Sequence, residues 1–138
     1  MNTNSLGFKD SQSRTVPLKK NNPRILLIGD SFTEGIGYAH NDTFAGILEK
    51  KLETKNIEVF NAGVSSYSPI IYLRKTQFLI DKGFEFDHLA VFIDISGIED
   101  EAKNYTFDKK ICQKSHDISI VRLKVIILYS FDIYNSKK

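Results

Sequence analysis

The sequence predicts an α/β domain with a central parallel sheet, on three observations. Short, nearly all-apolar runs recur at residues 24–28, 57–60 and 88–93, the pattern of strands buried on both faces. Helical patterns with one apolar side separate them, giving the order β-α-β-α-β with short connections, which implies parallel strands joined by right-handed crossovers. Each run also ends in a polar, glycine-containing turn: Gly29-Asp30-Ser31, Asn61-Ala62-Gly63 and Asp94-Ile95-Ser96-Gly97. Parallel strands bring those turns to one sheet edge, where open α/β sheets keep their ligand sites.

Residues 1–22 are polar, with isolated apolar residues at Leu6, Phe8, Val16 and Leu18. No helical or strand period emerges, so an extended N-terminal arm is expected, lying on the domain or partly disordered. Pro23 ends the arm, and the first strand follows. Gly29 breaks that strand and sets the Ser31 hydroxyl at its carboxyl end. Gly35 and Gly37 keep the next turn free of bulk.

Asp42 or Thr43 caps the first long helix, in which Phe44, Ile47, Leu48 and Leu52 recur at helical spacing. Lys50 and Glu53 fall on its wet side, and Asn56 sits where it should stop. Residues 57–60 form the second strand and 64–67 a loop. Ser68-Pro69 is a helix start, a cap followed by proline at the first helical position. That helix is expected to reach about Lys82, with Gly83 as its stop, and with Ile70, Leu73 and Ile80, flanked by Tyr72 and Leu79, as its core face. Residues 88–93 form the third strand. Residues 101–115 are charged and loop-like, and 135–138 form a solvated tail. Residues 118–131 are apolar in nearly every register; period cannot separate helix from strand there, and the length favours helix.

The totals exclude several classes. A chain of 138 residues is the size of one domain with a sizeable core. Its net charge of +2 is too small, and its lysines too scattered, for nucleic acid or an anionic membrane. The single cysteine, Cys112, forms no internal disulfide. His40, His88 and His116 have no metal-ligand spacing, so neither a metal nor another cofactor is expected. No basic-then-apolar leader is visible. Arg122 and Lys124 interrupt the most apolar segment, leaving no run near the ~20 residues of a spanning helix. The residues predict a soluble chain and leave its compartment open.

With those residues placed, the chain resembles the SGNH (GDSL-type) hydrolase superfamily over roughly residues 4–102. The family's first block is a Gly-Asp-Ser at the end of the first strand, here Gly29-Asp30-Ser31. Its second block supplies a glycine after the next strand, here Gly63. The segment Asn4-Ser5-Leu6-Gly7-Phe8-Lys9-Asp10 is similar to the lead-in of some bacterial members. The third block, Gly-x-Asn-Asp, has two registers here. One puts Ser96 where the asparagine belongs, and the other puts Glu99 there. A serine hydroxyl can donate to an oxyanion while an ionised glutamate cannot, which favours Ser96.

The resemblance implies a three-layer α/β/α domain over residues 23–138 that hydrolyses a small acyl ester. Ser31 Oγ would attack the ester carbonyl, and the N–H groups of Ser31 and Gly63, with Ser96, would hold the oxyanion. A histidine oriented by an aspartate would take the serine proton. The family's Asp-x-x-His near the C-terminus is missing, which leaves His116 and His40 as candidate bases. The domain is therefore expected to be shortened at its C-terminus. An incomplete sheet would carry an exposed edge through which copies self-associate.

Three competing readings remain. A binding-only or inactive truncated member would keep Ser31 but hold no histidine within its reach. The plain structural reading makes Asp30 or Ser31 a helix cap. Phosphoryl chemistry is the third. Phe92-Ile93-Asp94-Ile95-Ser96 lacks the second aspartate of a strand-end Asp-x-Asp, and no Gly-Lys-Ser/Thr follows Ile28. Tyr38 and Tyr67 are candidate pocket residues.

Overall fold

The computed structural model describes residues 2–93 and the strand 124–129. Strands β1 (Asn2–Thr3), β2 (Lys9–Asp10), β3 (Arg24–Ile28), β4 (Glu58–Asn61), β5 (His88–Ile93) and β6 (Lys124–Tyr129) form one sheet in the order β1-β2-β4-β3-β5-β6. The four strands β4, β3, β5 and β6 are parallel, with Ile25 opposite Val59 on one side and His88 on the other. The short helix α1 (Ser31–Glu34) follows β3, α2 (Phe44–Glu53) precedes β4, and α3 (Pro69–Asp81) precedes β5. The crossover order read from the apolar runs is the observed one.

Side chains alternate across β3. Leu26 and Ile28 face a core with Phe8, Phe60, Tyr72, Leu79 and Phe84 on the α3 side. Leu27 faces Ala45, Val59 and Ala90 on the α2 side. With a helix on each face, the described part is a mixed α/β fold with three layers.

The arm is more ordered than its composition suggests. β1 and β2 form an antiparallel hairpin that extends the sheet beyond β4, with Lys9 opposite Asn61. Asn4 Oδ1 accepts the N–H groups of Leu6 and Phe8 at 3.1 and 3.2 Å, and Gly7 takes the positive φ of 75° that the turn requires. Phe8 then seats its ring 5.8 Å from that of Phe84. Strands of two residues are too short to show a period.

The expected helix over 118–131 is corrected at its centre. Residues 124–129 are a strand, paired with β5 from His88 opposite Lys124 to Ile93 opposite Tyr129. The β-branched run Val125-Ile126-Ile127 suits a strand, and β5 offers a parallel edge to it.

Both long helices begin where expected, and their inward faces are met in part: Leu48 and Leu52 of α2 pack on the core, and Tyr72 and Leu79 of α3 are buried. In α2 the buried residues are Ala45 and Gly46. A Cβ on Gly46 would lie 2.1 Å from His40 O, so the contact admits only glycine there. Ile47 points out, 49% exposed, and Phe44, 40% exposed, lays its ring 5.0 Å from that of Phe92 at the margin of this core. In α3 the buried set is Tyr72, Thr76 and Leu79, while Leu73 and Ile80 face out. The polar atoms of that face are satisfied internally: Tyr72 Oη donates to Tyr67 O at 2.9 Å and Thr76 Oγ1 to Tyr72 O at 2.8 Å. Ser68 occupies the N-cap position of α3 without a side-chain capping hydrogen bond.

Candidate active site

Ser31 opens α1 at the carboxyl end of β3. Asp30 is the cap, and its Oδ1 accepts the Phe32 N–H at 2.9 Å. The capping role thus falls to Asp30 and leaves the half-buried Ser31 free of it. Among the described residues, neither the Ser31 hydroxyl nor its N–H has a hydrogen-bond partner. The turn closes at Gly35, which takes φ 67° and donates its N–H to Ser31 O.

The second turn lies directly on α1. A Cβ on Gly63 would stand 2.6 Å from Glu34 N and 2.8 Å from Thr33 C, so only glycine lets these two backbones meet. Hydrogen bonds stitch the contact. Val64 N–H donates to Gly29 O at 3.0 Å, Ser65 N–H to Glu34 Oε2 at 2.7 Å, and Asn61 Nδ2 to Thr33 O at 2.8 Å.

Gly63's own N–H donates to Asn61 Oδ1 at 3.1 Å. An oxyanion at this turn would share that N–H with Asn61 or displace it. In the described residues Gly63 serves the close approach of β4's turn to α1, and Ser31's N–H is the unpartnered donor. One residue escaped the sequence reading: Ser66 holds a positive φ of 61° in the same loop, a conformation that non-glycine residues rarely take. Nothing in its local sequence signals this.

Lys75 reaches the turn from α3, its Nζ donating to Ala62 O at 2.8 Å. Burial lowers its pKa to about 8, against the upward pull of the Glu34 charge.

His40 follows the Ser31 turn, as a base candidate should, but faces elsewhere. It is 5% exposed and its Nε2 lies 2.8 Å from Glu49 Oε2. Among the described residues its Nδ1 is buried without a partner, and no hydrogen bond joins it to Ser31. With Lys9, Asp10, Ser11 and Tyr38 it lines a cavity of ≈ 460 Å³ at the seam between the arm and residues 37–41. Ser31 does not line that cavity, which is therefore not the Ser31 site, and Tyr67 does not line it either. His88 opens β5 opposite Ile25, at the far end of the sheet from Ser31. Ser96, Glu99 and His116 lie outside the described residues. Among the described residues no group of His, Cys, Asp and Glu could hold a metal ion, and no helix is long and apolar enough to cross a membrane.

No family model matches the chain, and no curated protein matches it. Among solved structures it is similar to AlinE4, an SGNH-hydrolase family esterase, and to two mutants of that esterase. The identity is 26% for the esterase and one mutant and 25% for the other, each at a TM-score of 0.45. The matches cover 53% of this chain and 40% of the esterase chain.

Proposed function

We propose that this chain is a serine-dependent ester hydrolase acting on a small acyl ester. One observation carries the reading. Ser31 stands at the carboxyl end of a central parallel strand, on a turn capped by its neighbour, with its hydroxyl and N–H both unpartnered among the described residues. Ser31 Oγ attacks the ester carbonyl, and the carbonyl oxygen becomes an oxyanion that takes the Ser31 N–H. The Gly63 N–H and the Ser96 hydroxyl are the proposed further donors. A serine hydroxyl is a weak nucleophile unless a base removes its proton. With His40 tied to Glu49, His116 is the proposed base.

A second reading, a binding-only member of the same fold, is favoured by the position of His40. No histidine among the described residues hydrogen-bonds Ser31. The two readings part on one experiment: hydrolysis of a short activated acetyl ester by the purified chain beside Ser31→Ala. A rate well above buffer that disappears in the variant supports the hydrolase. Equal background rates from two folded proteins sink it in favour of binding. His116→Ala then tests the base, and an unchanged rate there rules it out.

A further inference from the structure

We propose that Lys75 is a positioning residue for the Ser31 turn, acting through the Ala62–Gly63 peptide; its kinetic consequence rests on the ester-hydrolase reading, its structural one does not. Lys75 lies in the middle of α3, and its ammonium is drawn inward. It stands 5.6 Å from the ring centroids of both Phe8 and Tyr67, whose faces attract a cation. Its hydrogen bond to Ala62 O fixes more than one atom. That oxygen and the Gly63 N–H belong to one planar peptide, so holding the carbonyl aims the N–H.

The aimed N–H meets Asn61 Oδ1, and the other end of that amide, Nδ2, donates to Thr33 O in α1. Three hydrogen bonds thus run from the cation on α3 to the backbone of the helix that Ser31 opens. A charge at one end of such a chain polarises every link. The chain has little room to shift, because Gly63 already touches Thr33 and Glu34. Glu34 adds a second tie: its Oε2 accepts the Ser65 N–H, and its charge attracts Lys75. The charged and titratable groups facing Lys75 are Glu34 from α1 and the Tyr67 phenol from the loop; Phe8 contributes only a ring. Lys75 is not a base for Ser31, since no hydrogen bond joins them and its Nζ is spent on Ala62.

The test follows the Ala62 carbonyl carbon-13 shift from neutral to alkaline pH in the full chain. In the unaltered protein it titrates with a midpoint near the Lys75 pKa of about 8. Glu34→Gln lowers that midpoint, Lys75→Met abolishes the titration, and Lys75→Arg keeps the neutral-pH shift with no titration. Lys75→Met fills the same space, so a merely space-filling lysine would leave the turn unmoved. With an active enzyme, Lys75→Met lowers kcat roughly tenfold with KM held, the loss of one charge-assisted hydrogen bond acting through the turn. A flat Ala62 shift in the unaltered chain, or the same titration in Lys75→Met, overturns the proposal. An inactive parent protein overturns the hydrolase reading instead, and the carbon-13 titration still decides Lys75.

Discussion

Asn61 and Thr33 are joined at 2.8 Å, side-chain Nδ2 to backbone oxygen, across the gap between the end of β4 and α1. Asn61 is 1% exposed, and both ends of its amide are used, since Oδ1 takes the Gly63 N–H. Asn61→Leu should therefore leave a buried acceptor and a buried donor unpaired, at ~1–3 kcal/mol each. Urea unfolding should show a loss of about 2 kcal/mol or more. Asn61→Asp keeps the acceptor and loses the donor, so it should retain the Gly63 bond and fail at Thr33. An Asn61→Leu protein as stable as its parent would show that the link carries no weight.

How much of this was legible in the residues differs from element to element. The strands of the sheet centre were, because burial on both faces leaves unbroken apolar runs. The Ser31 turn was too, because a glycine break and an acidic cap are local signals. The helix faces were legible only in part. Hydrophobic size pointed to Ile47 and Leu73, but close contact selected Ala45, Gly46 and Thr76, and Thr76 could be buried because its hydroxyl back-bonds to Tyr72 O. The role of Gly63 was half legible. Its smallness shows in sequence; the capture of its N–H depends on the Asn61 side-chain torsion, which no motif records. The strand at 124–129 was hidden because a neighbouring strand, and not the local pattern, decides it.

Arg24 presents a different kind of buried polar group. Its side chain is 1% exposed, and its Nε donates to Glu58 Oε2 at 2.7 Å. One guanidinium nitrogen donates to the carbonyls of Pro17, Leu18 and Glu85. The cation also sits 5.4 Å from the Phe60 ring and 5.2 Å from the Phe84 ring. It thereby ties the end of the arm to the sheet and to the segment before β5. Arg24→Ala should cost ~3 kcal/mol or more, because three carbonyls lose their donor at ~1–3 kcal/mol each when buried, while Glu58, 32% exposed, can be rehydrated. Arg24→Lys should recover only part of this, because an ammonium lacks the planar fork that serves several acceptors at once. Thermal unfolding of the two variants beside the parent measures both effects.

The sheet edge bears on association. β6 ends the strand order on one side among the described residues, and an unpaired parallel edge is a template for another chain. We expect copies to self-associate as concentration rises. Size-exclusion chromatography over a dilution series should show a shift toward larger species. A proline at Ile127 should suppress that shift, provided circular dichroism shows that the variant still folds. A compact monomer at every concentration would count against the edge as an association surface.

Asp10 predicts how the protein meets acid. Burial alone would raise its pKa, but hydrogen bonds from Arg14 and Asn4, the Arg14 charge and the Gln12 N–H outweigh that and hold it below the ordinary value. The Arg14 Nε contact is 2.8 Å and the Asn4 Nδ2 contact 3.0 Å. A carboxyl whose folded pKa is depressed stabilises the fold fully above its unfolded pKa of ~4 and loses that contribution as pH falls through the folded value. Stability should therefore be level near neutrality and drop below pH ~4. Asp87 adds to the same slope: burial raises its pKa, and hydrogen bonds from Lys20 and the Arg24 N–H lower it further than burial lifts it. Asp10→Asn removes one contributor. It should cost about 2 kcal/mol at neutral pH, the scale of hydrogen bonds to a charged group, and lose less than the parent on acidification. Urea midpoints of both proteins at neutral and acid pH make the comparison. Parallel losses in the two would place the acid sensitivity elsewhere, with Asp87 the next carboxylate to replace.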